Sequence, residues 1–255
     1  MLSKTEIEDY RARGFVVFPA LFTTDEIAAL HAEADRIFGL ERVEHLRAAS
    51  GEFLGTTAME RCSDLYHRLL REPRLLSIAA QLLGSEVYCH QYKIIVKQAL
   101  GQLSLPWHQD YGPWAHHDGM PTSAALSLGI YLDEVTEFNG PITFIPRSHH
   151  DGLLPYEVIP VPGTTPIPSL PAATVKRYAA QHGIVAPKGP PGTCVIFDSC
   201  LAHASSPNLA PWPRNLIYLS YNRLDNAIQK PTRATHFANQ DFTPLHANRA
   251  GALIS

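Results

Sequence analysis

The sequence predicts a mainly β protein: an antiparallel sandwich or jelly-roll barrel with N-terminal α-helices packed against it. Three observations point there. After residue 85 the chain is built of short segments rich in β-branched and aromatic residues: VYCHQYKIIVKQ, SAALSLGIYLDE, PITFIPRSH, GTCVIFDS and NLIYLSYNR. Turn signals such as Asn139-Gly140 and Gly192 separate them, with no regular helical spacers between, which favours an antiparallel sandwich or barrel over a parallel sheet. Before residue 85 the apolar spacing is helical instead. The length of 255 residues suits one large domain better than two.

Taken in order, residues 1–85 are expected to be mainly helical support. A short helix around Ile7, Tyr10 and Arg11 closes on Gly14 and is followed by the strand-like FVVFP. Thr23 to Glu26 forms a T-x-x-E capping box ahead of Ile27, Leu30, Ala34 and Ile37, an amphipathic pattern of 3.6 residues. Pro73 stands where a first helical turn would start, and LLSIAAQLLG ends on Gly84, suited to a C-cap. Residues 86–226 then form the jelly-roll core. Within it, 151–191 is a Pro-rich insertion with a short charged helical pattern at its end, read either as a lid or as a decorative loop. Residues 227–255 are a C-terminal extension. Repeats and low-complexity tracts are not visible.

Composition narrows the function classes. Hydrophobic residues make up 45% and charged residues 18%, as in ordinary globular proteins. A net charge of −3 offers no basic face for nucleic acid or anionic lipid, so a small molecule is the expected partner. The first residues, MLSKTEIEDYRARG, contain no apolar leader, and no apolar run approaches the roughly 18 residues of a membrane span. Cys62, Cys89, Cys194 and Cys200 are scattered without a CxxC pair and read as free thiols of a cytoplasmic protein. No heptad or interface stripe chooses between monomer and homodimer.

The stretch WHQDYGPW puts His108 and Asp110 two residues apart among Trp107, Tyr111 and Trp114. Strand alternation would point His108 and Asp110 to one face, where a nitrogen and a carboxylate could converge on an ion. The competing reading is a piece of aromatic core with two polar residues at its edge. A third ligand is available in VIFDSCLAHASSPN as His203, and Arg214 begins the next strand, RNLIYLSYN. Two antiparallel strands joined by a loop can set His203 and Arg214 on one inner surface. Two histidines and one carboxylate with open positions suit non-haem Fe(II) and oxygen chemistry. An arginine nearby suits a carboxylate ligand.

The segments WHQDYGPWAHHDGMP, NGPITFIPRSH and FDSCLAHASSPN…PRNLIYLSYNR resemble the phytanoyl-CoA dioxygenase superfamily, and most closely its bacterial ectoine and free-proline hydroxylases. The resemblance runs from about residue 4 to residue 226. It implies a double-stranded β-helix (jelly-roll, cupin-like) core, Fe(II) and 2-oxoglutarate as cofactor and co-substrate, O2 as oxidant, and ascorbate as the in vitro reductant. It makes His108, Asp110 and His203 the iron ligands. Arg214 would bind the distal carboxylate of 2-oxoglutarate with help from Ser205, and Lys97 and Tyr218 are further co-substrate candidates. On the substrate side it implies Gln91, Lys93, Trp114, Phe197 and Tyr111, with Lys93 pairing with a carboxylate; core packing is the alternative for Trp114, Phe197, Tyr111 and Tyr218. Asp110 argues against halogenation, because related halogenases lack the carboxylate. One position departs: Ile95 stands where the branch has an asparagine that helps to hold 2-oxoglutarate.

Other histidines carry less. His149-His150 reads as a strand-end surface pair, and His116-His117 as a substrate contact or a polar loop. The leading functional reading is hydroxylation of an unactivated C–H bond of a small molecule, a free amino or imino acid such as proline or a derivative, with succinate and CO2 as co-products. One alternative keeps the chemistry and changes the substrate to a larger apolar natural-product intermediate. Another is a non-oxidative cupin-type metal protein, which would have no use for Arg214 and Ser205 at their spacing from His203. A silent scaffold is disfavoured by the intact ligand set.

Overall fold

The computed structural model describes residues 1–159, 167–248 and 253–254. In the first part of the chain, α1 (Lys4–Arg13), β1 (Phe15–Phe18) and α2 (Thr24–Phe38) lead to β2 (His45–Arg47) and β3 (Phe53–Thr57). Helices α3 (Asp64–Leu70) and α4 (Pro73–Leu83) follow, and then the long strand β4 (Val87–Lys97). Next come β5 (Leu105–His108), α5 (Tyr111–Asp118), β6 (Ala125–Tyr131) and β7 (Ile142–Phe144). The insertion holds β8 (Glu157–Ile159), β9 (Ile167–Ser169) and α6 (Ala172–His182), and the core closes with β10 (Cys194–Asp198), β11 (His203–Ser205) and β12 (Arg214–Arg223).

Two sheets face one another, as a jelly roll requires. The larger has seven strands in the order β1-β10-β6-β12-β4-β3-β2, and the smaller has β5-β11-β7. The pairing within both is antiparallel. Because side chains alternate along a strand, each strand of the large sheet supplies two faces. Ile217, Leu219 and Tyr221 of β12, Leu126, Leu128 and Ile130 of β6, and Tyr92, Ile94 and Val96 of β4 share one buried cluster with Ile27, Leu30 and Ile37 of α2 and Leu75 and Ile78 of α4. Each fully buried Ile or Leu there contributes about 1.5–3 kcal/mol. The other face carries Leu216, Tyr218, Tyr131, Val195 and Phe197, which pack with Ile142 and Phe144 of the small sheet.

The helix signals behave as the sequence suggests. Thr23 and Glu26 form a reciprocal capping box at α2, Pro73 opens α4, and Gly84 closes it. A second box, Ser3 with Glu6, starts α1. Gly14 ends α1 at φ 85°, and a Cβ there would meet His149 Nδ1 at 2.6 Å. His149 and His150 sit against the carbonyls of Arg11 and Ala12, at 3.1 and 3.2 Å, so this pair fastens the end of α1.

Two features add detail to the expected layout. Residues 1–85 are mainly helical, and β2 and β3 also extend the large sheet beyond β4, with Gly55 opposite Ile95. HLR and FLGTT are too brief for their periodicity to be read. The described parts of the 151–191 insertion are docked: Leu154, Leu170 and Tyr178 pack on Ile145 and Ala202, with Trp107 against them. Residues 160–166 of the expected lid, and 249–252 and 255 of the extension, lie outside the described residues. The rest of the extension is stitched to the core, with Asn239 N–H donating to His90 O and Leu245 N–H to Val87 O. Among the described residues no helix is long and apolar enough to cross a membrane.

Candidate metal and co-substrate centre

His108 ends β5 and pairs directly across from His203 at the start of β11. That register sets the two imidazole centroids 4.1 Å apart. Asp110 does not continue the strand alternation. It lies past the end of β5 with αR geometry at the threshold of α5, and the turn swings its carboxylate back to the histidines. Asp110 Oδ1 is 3.9 Å from His108 Nε2 and 3.7 Å from His203 Nε2. The three ligand atoms lie within 4.8 Å of one another, a separation one cation can bridge with bonds of about 2.0–2.5 Å.

The groups behind the triad orient it toward a metal. His108 Nδ1 is 2.7 Å from Pro106 O, and His203 Nδ1 is 2.9 Å from Leu201 O. Those carbonyls accept an Nδ1–H, which leaves both Nε2 lone pairs facing Asp110. The Ser127 hydroxyl donates to Asp110 Oδ2 at 2.7 Å and is itself 3.1 Å from Ser220 Oγ. Burial and the neighbouring His203 push His108 well below the usual imidazole range. Burial alone would raise Asp110, yet His203, Lys93, His108 and the Ser127 hydrogen bond hold it below the usual carboxylate value. Neutral imidazoles and an ionised carboxylate are the forms that bind a cation.

Arg214 opens β12 on the inner face of the large sheet, whereas His203 belongs to the small sheet. They therefore face each other across the barrel, and not along one surface as the sequence suggests. The guanidinium is buried, with Nη2 donating to Gly140 O at 2.7 Å and Nε to Asn139 O at 3.4 Å. Nη1 is also buried and has no hydrogen-bond partner among the described residues. A buried cationic donor without a partner is costly, and a carboxylate is the group that would satisfy it. Gly140 has φ 71°, and a Cβ there would meet Ser206 O at 2.6 Å, so glycine keeps the carbonyl cradle of Arg214 in place. Ser205 is buried two residues after His203 on β11.

These features fit a bound iron and a dicarboxylate, and comparison with known proteins agrees. Residues 10–216 match the family described as Phytanoyl-CoA dioxygenase (PhyH). The chain belongs to this family. It is an Fe(II)/2-oxoglutarate-dependent dioxygenase. An ectoine dioxygenase of Bordetella bronchiseptica is 32% identical over 249 residues, covering 90% of this chain and 78% of the relative. An L-proline trans-4-hydroxylase of Streptomyces griseoviridis is 32% identical over 252 residues, covering 92% of each. Among solved structures, EctD from S. alaskensis with bound Fe superposes with a TM-score of 0.86 at 31% identity, covering 99% of this chain and 89% of that one. The same protein with 2-oxoglutarate and 5-hydroxyectoine gives 0.87 at 30% identity, with the same coverage.

Not every residue expected at the dioxygenase centre has a surface there. Phe197 is 0% exposed and lies edge-on to the His203 ring at 5.1 Å, so it backs the imidazole from the core. Trp114 is 1% exposed and packs with Met120, Ala125, Ile228 and Ala238. Both are core residues where the resemblance placed substrate contacts. Lys97 is likewise engaged, donating to the carbonyls of Leu103 and Ser206. Its ammonium ties two loops together beside Arg214, and burial and the Arg214 charge bring it down to about 7. Ile95 lies opposite Leu216 and Gly55 and packs at the edge of the inner apolar cluster.

The remaining candidates stand on β4, β12 and α5. Lys93 Nζ stands 5.4 Å over the Tyr218 ring and 3.5 Å from Gln91 Oε1. Gln91 Nε2 donates to Phe237 O at 2.7 Å, and Tyr111 Oη to Met120 O and Pro121 O at 3.3 and 3.2 Å. Of the pair on α5, His116 is exposed, and the His117 carbonyl accepts from Thr232. Ser127 and Ser220 escaped the sequence reading. Their signal is a lone serine at an inward position of an otherwise apolar strand, in LSLGIY and LSYN.

Proposed function

We propose that this dioxygenase hydroxylates a free amino or imino acid, or a compound derived from one, in the cytoplasm, acting as a monomer or homodimer built of one dioxygenase domain. The observation that carries the reading is Arg214 Nη1, without a partner among the described residues and buried on the inner face across the barrel from His108, Asp110 and His203. His108, Asp110 and His203 would hold Fe(II) as a set of two histidines and one carboxylate. Arg214 would take the distal carboxylate of 2-oxoglutarate, with Ser205 beside it. Bound together, Fe(II) and 2-oxoglutarate supply oxidative decarboxylation, in which 2-oxoglutarate, O2 and R–H become succinate, CO2 and R–OH.

The chain's own groups arrange the reactants. Ser127 holds the Asp110 carboxylate in one orientation, and the Pro106 and Leu201 carbonyls do the same for the two rings. The Lys93 ammonium is half-buried, 3.5 Å from Gln91 Oε1 and above the Tyr218 ring, so a substrate carboxylate would complete its surroundings. That favours a charged small substrate over a larger apolar one, as do relatives acting on ectoine and L-proline. All four cysteines are free, which supports a reducing compartment.

The test is succinate release by purified protein with Fe(II), ascorbate and 2-oxoglutarate, screened across free amino acids, their cyclic derivatives and apolar metabolites. The expected result is succinate that rises with one carboxylate-bearing substrate, together with a product heavier by one oxygen atom. Turnover only with uncharged apolar compounds would overturn the substrate class, and no succinate from metal-loaded protein with any compound would count against the reaction.

A further inference from the structure

Arg214 is the first residue of β12, where a strand end would be free to fray, and its guanidinium rests on carbonyls of the turn at Asn139 and Gly140. The backbone ladder between β6 and β12 ends at Tyr131 opposite Leu216, with one further bond from Leu132 N–H to Asn215 O at 3.2 Å. Beyond that point a side chain takes over: Asp133 Oδ2 accepts the Asn215 N–H at 2.6 Å. Asp133 also begins the segment that ends in the Arg214 cradle. That segment is braced internally, with Thr136 N–H donating to Asn139 Oδ1 and Asn139 Nδ2 to Glu134 O.

The second oxygen of Asp133 lies 3.2 Å from His31 Nε2, and His31 Nδ1 lies 3.3 Å from Asp35 Oδ2. His31 belongs to α2, whose Ile27, Leu30, Ala34 and Ile37 are buried against the outer face of the large sheet. The helix is thus a fixed post. The groups facing His31 are Asp35 on its own helix, Asp133 after β6, and Asn215 of β12, whose Nδ2 is 3.4 Å from His31 Nε2. The Asp133 hydrogen bond, with both carboxylates nearby, raises the His31 imidazole to about 9, so it is charged at neutral pH. Asn215 Oδ1 is buried without a partner among the described residues. Turning that amide over would present the oxygen to a charged His31, matching acceptor to donor.

We propose that His31 and Asp133 are positioning residues for the co-substrate anchor: through Asn215 and the 133–140 segment they fix Arg214, and so set the affinity for 2-oxoglutarate without touching it. This rests on Arg214 being the anchor. The pair ties three elements to one point: the helix, the end of β12, and the segment whose carbonyls hold the guanidinium. Releasing it frees the first residue of β12 and one end of the cradle together.

The experiment is calorimetric titration of 2-oxoglutarate into the anaerobic Fe(II)-loaded protein, with iron content measured separately. His31→Ala and Asp133→Ala should weaken 2-oxoglutarate binding roughly tenfold, the scale of one charge-assisted hydrogen bond. Iron content and turnover at saturating 2-oxoglutarate should stay as in wild type. His31→Gln, which keeps a donor toward Asp133, should recover part of the loss. Wild-type affinity should fall as pH rises through about 9, and this fall should be absent from His31→Ala. Arg214→Ala separates the two levels of the argument. If it abolishes binding while the His31 and Asp133 variants bind as wild type, the positioning role is overturned and the anchor stands. If Arg214→Ala itself binds as wild type, both are overturned.

Discussion

The two faces of the seven-stranded sheet use the same strands for opposite ends. On the outer face, hydroxyls buried among apolar side chains are paired: Tyr66 donates to Leu30 O, Tyr92 to Tyr66 O and Tyr221 to Leu70 O. On the inner face, Arg214 keeps a buried donor without a partner among the described residues, and across from it two imidazoles turn bare Nε2 atoms toward one carboxylate. Alternation along β12 makes this possible, since Ile217 and Leu219 face the helices while Arg214, Leu216, Tyr218 and Ser220 face the chamber. The outer face supplies the burial that lets the inner face keep costly, unfinished polar groups.

Breaking each face should therefore have a different signature. On the inner side, Asp110→Ala or His108→Ala should lower 2-oxoglutarate turnover about a thousandfold or more while circular dichroism stays unchanged. Retained turnover would remove that residue from the ligand set. On the outer side, Ile217→Ala should cost about 2–5 kcal/mol in denaturant unfolding and leave the KM for 2-oxoglutarate unchanged. Arg214→Met should raise that KM by about 30- to 100-fold, the loss of charge-assisted hydrogen bonds. Yet it should leave the metal-free protein as stable or more so, since it removes a buried charge. Ser127→Ala, which strips one hydrogen bond from Asp110, should weaken Fe(II) binding about tenfold by metal titration.

A further effect is expected on stability against pH. The folded protein holds His108 below the ordinary imidazole value, so between that value near 6.5 and its lowered one the unfolded chain binds a proton that the native state does not. Metal-free stability should thus fall as pH drops below about 6.5, by at most about 1.4 kcal/mol per pH unit for this one group. Denaturant melts of wild type and His108→Gln should differ in that slope, and equal slopes would place the lost stability on other histidines.

Much of this contrast was legible in the residues. The strand segments, the capping box at Thr23 and the four polar residues His108, Asp110, His203 and Arg214 are all visible as local pattern. The register was not: β5 and β11 are LPWH and HAS, too short for alternation to declare a face or a partner. Asp110 was assigned to a strand because H-x-D fits a period of two, while the chain turns into α5 after Gln109. Lys97, Trp114 and Phe197 show what position in a motif leaves open. Similarity of position carries over a residue type but not the carbonyls and apolar side chains that surround it here. His31 lay outside any motif, since its role comes from an aspartate 102 residues away in sequence.

One chamber between the two sheets would hold metal at the small sheet and co-substrate against the large one. Its most direct test is sequential titration of Fe(II) and then 2-oxoglutarate into wild type, Asp110→Ala and Arg214→Ala under anaerobic conditions. Wild type should take up iron and then 2-oxoglutarate; Asp110→Ala should lose both, and Arg214→Ala should keep iron and lose 2-oxoglutarate. Undiminished iron in Asp110→Ala, or undiminished 2-oxoglutarate in Arg214→Ala, would contradict it.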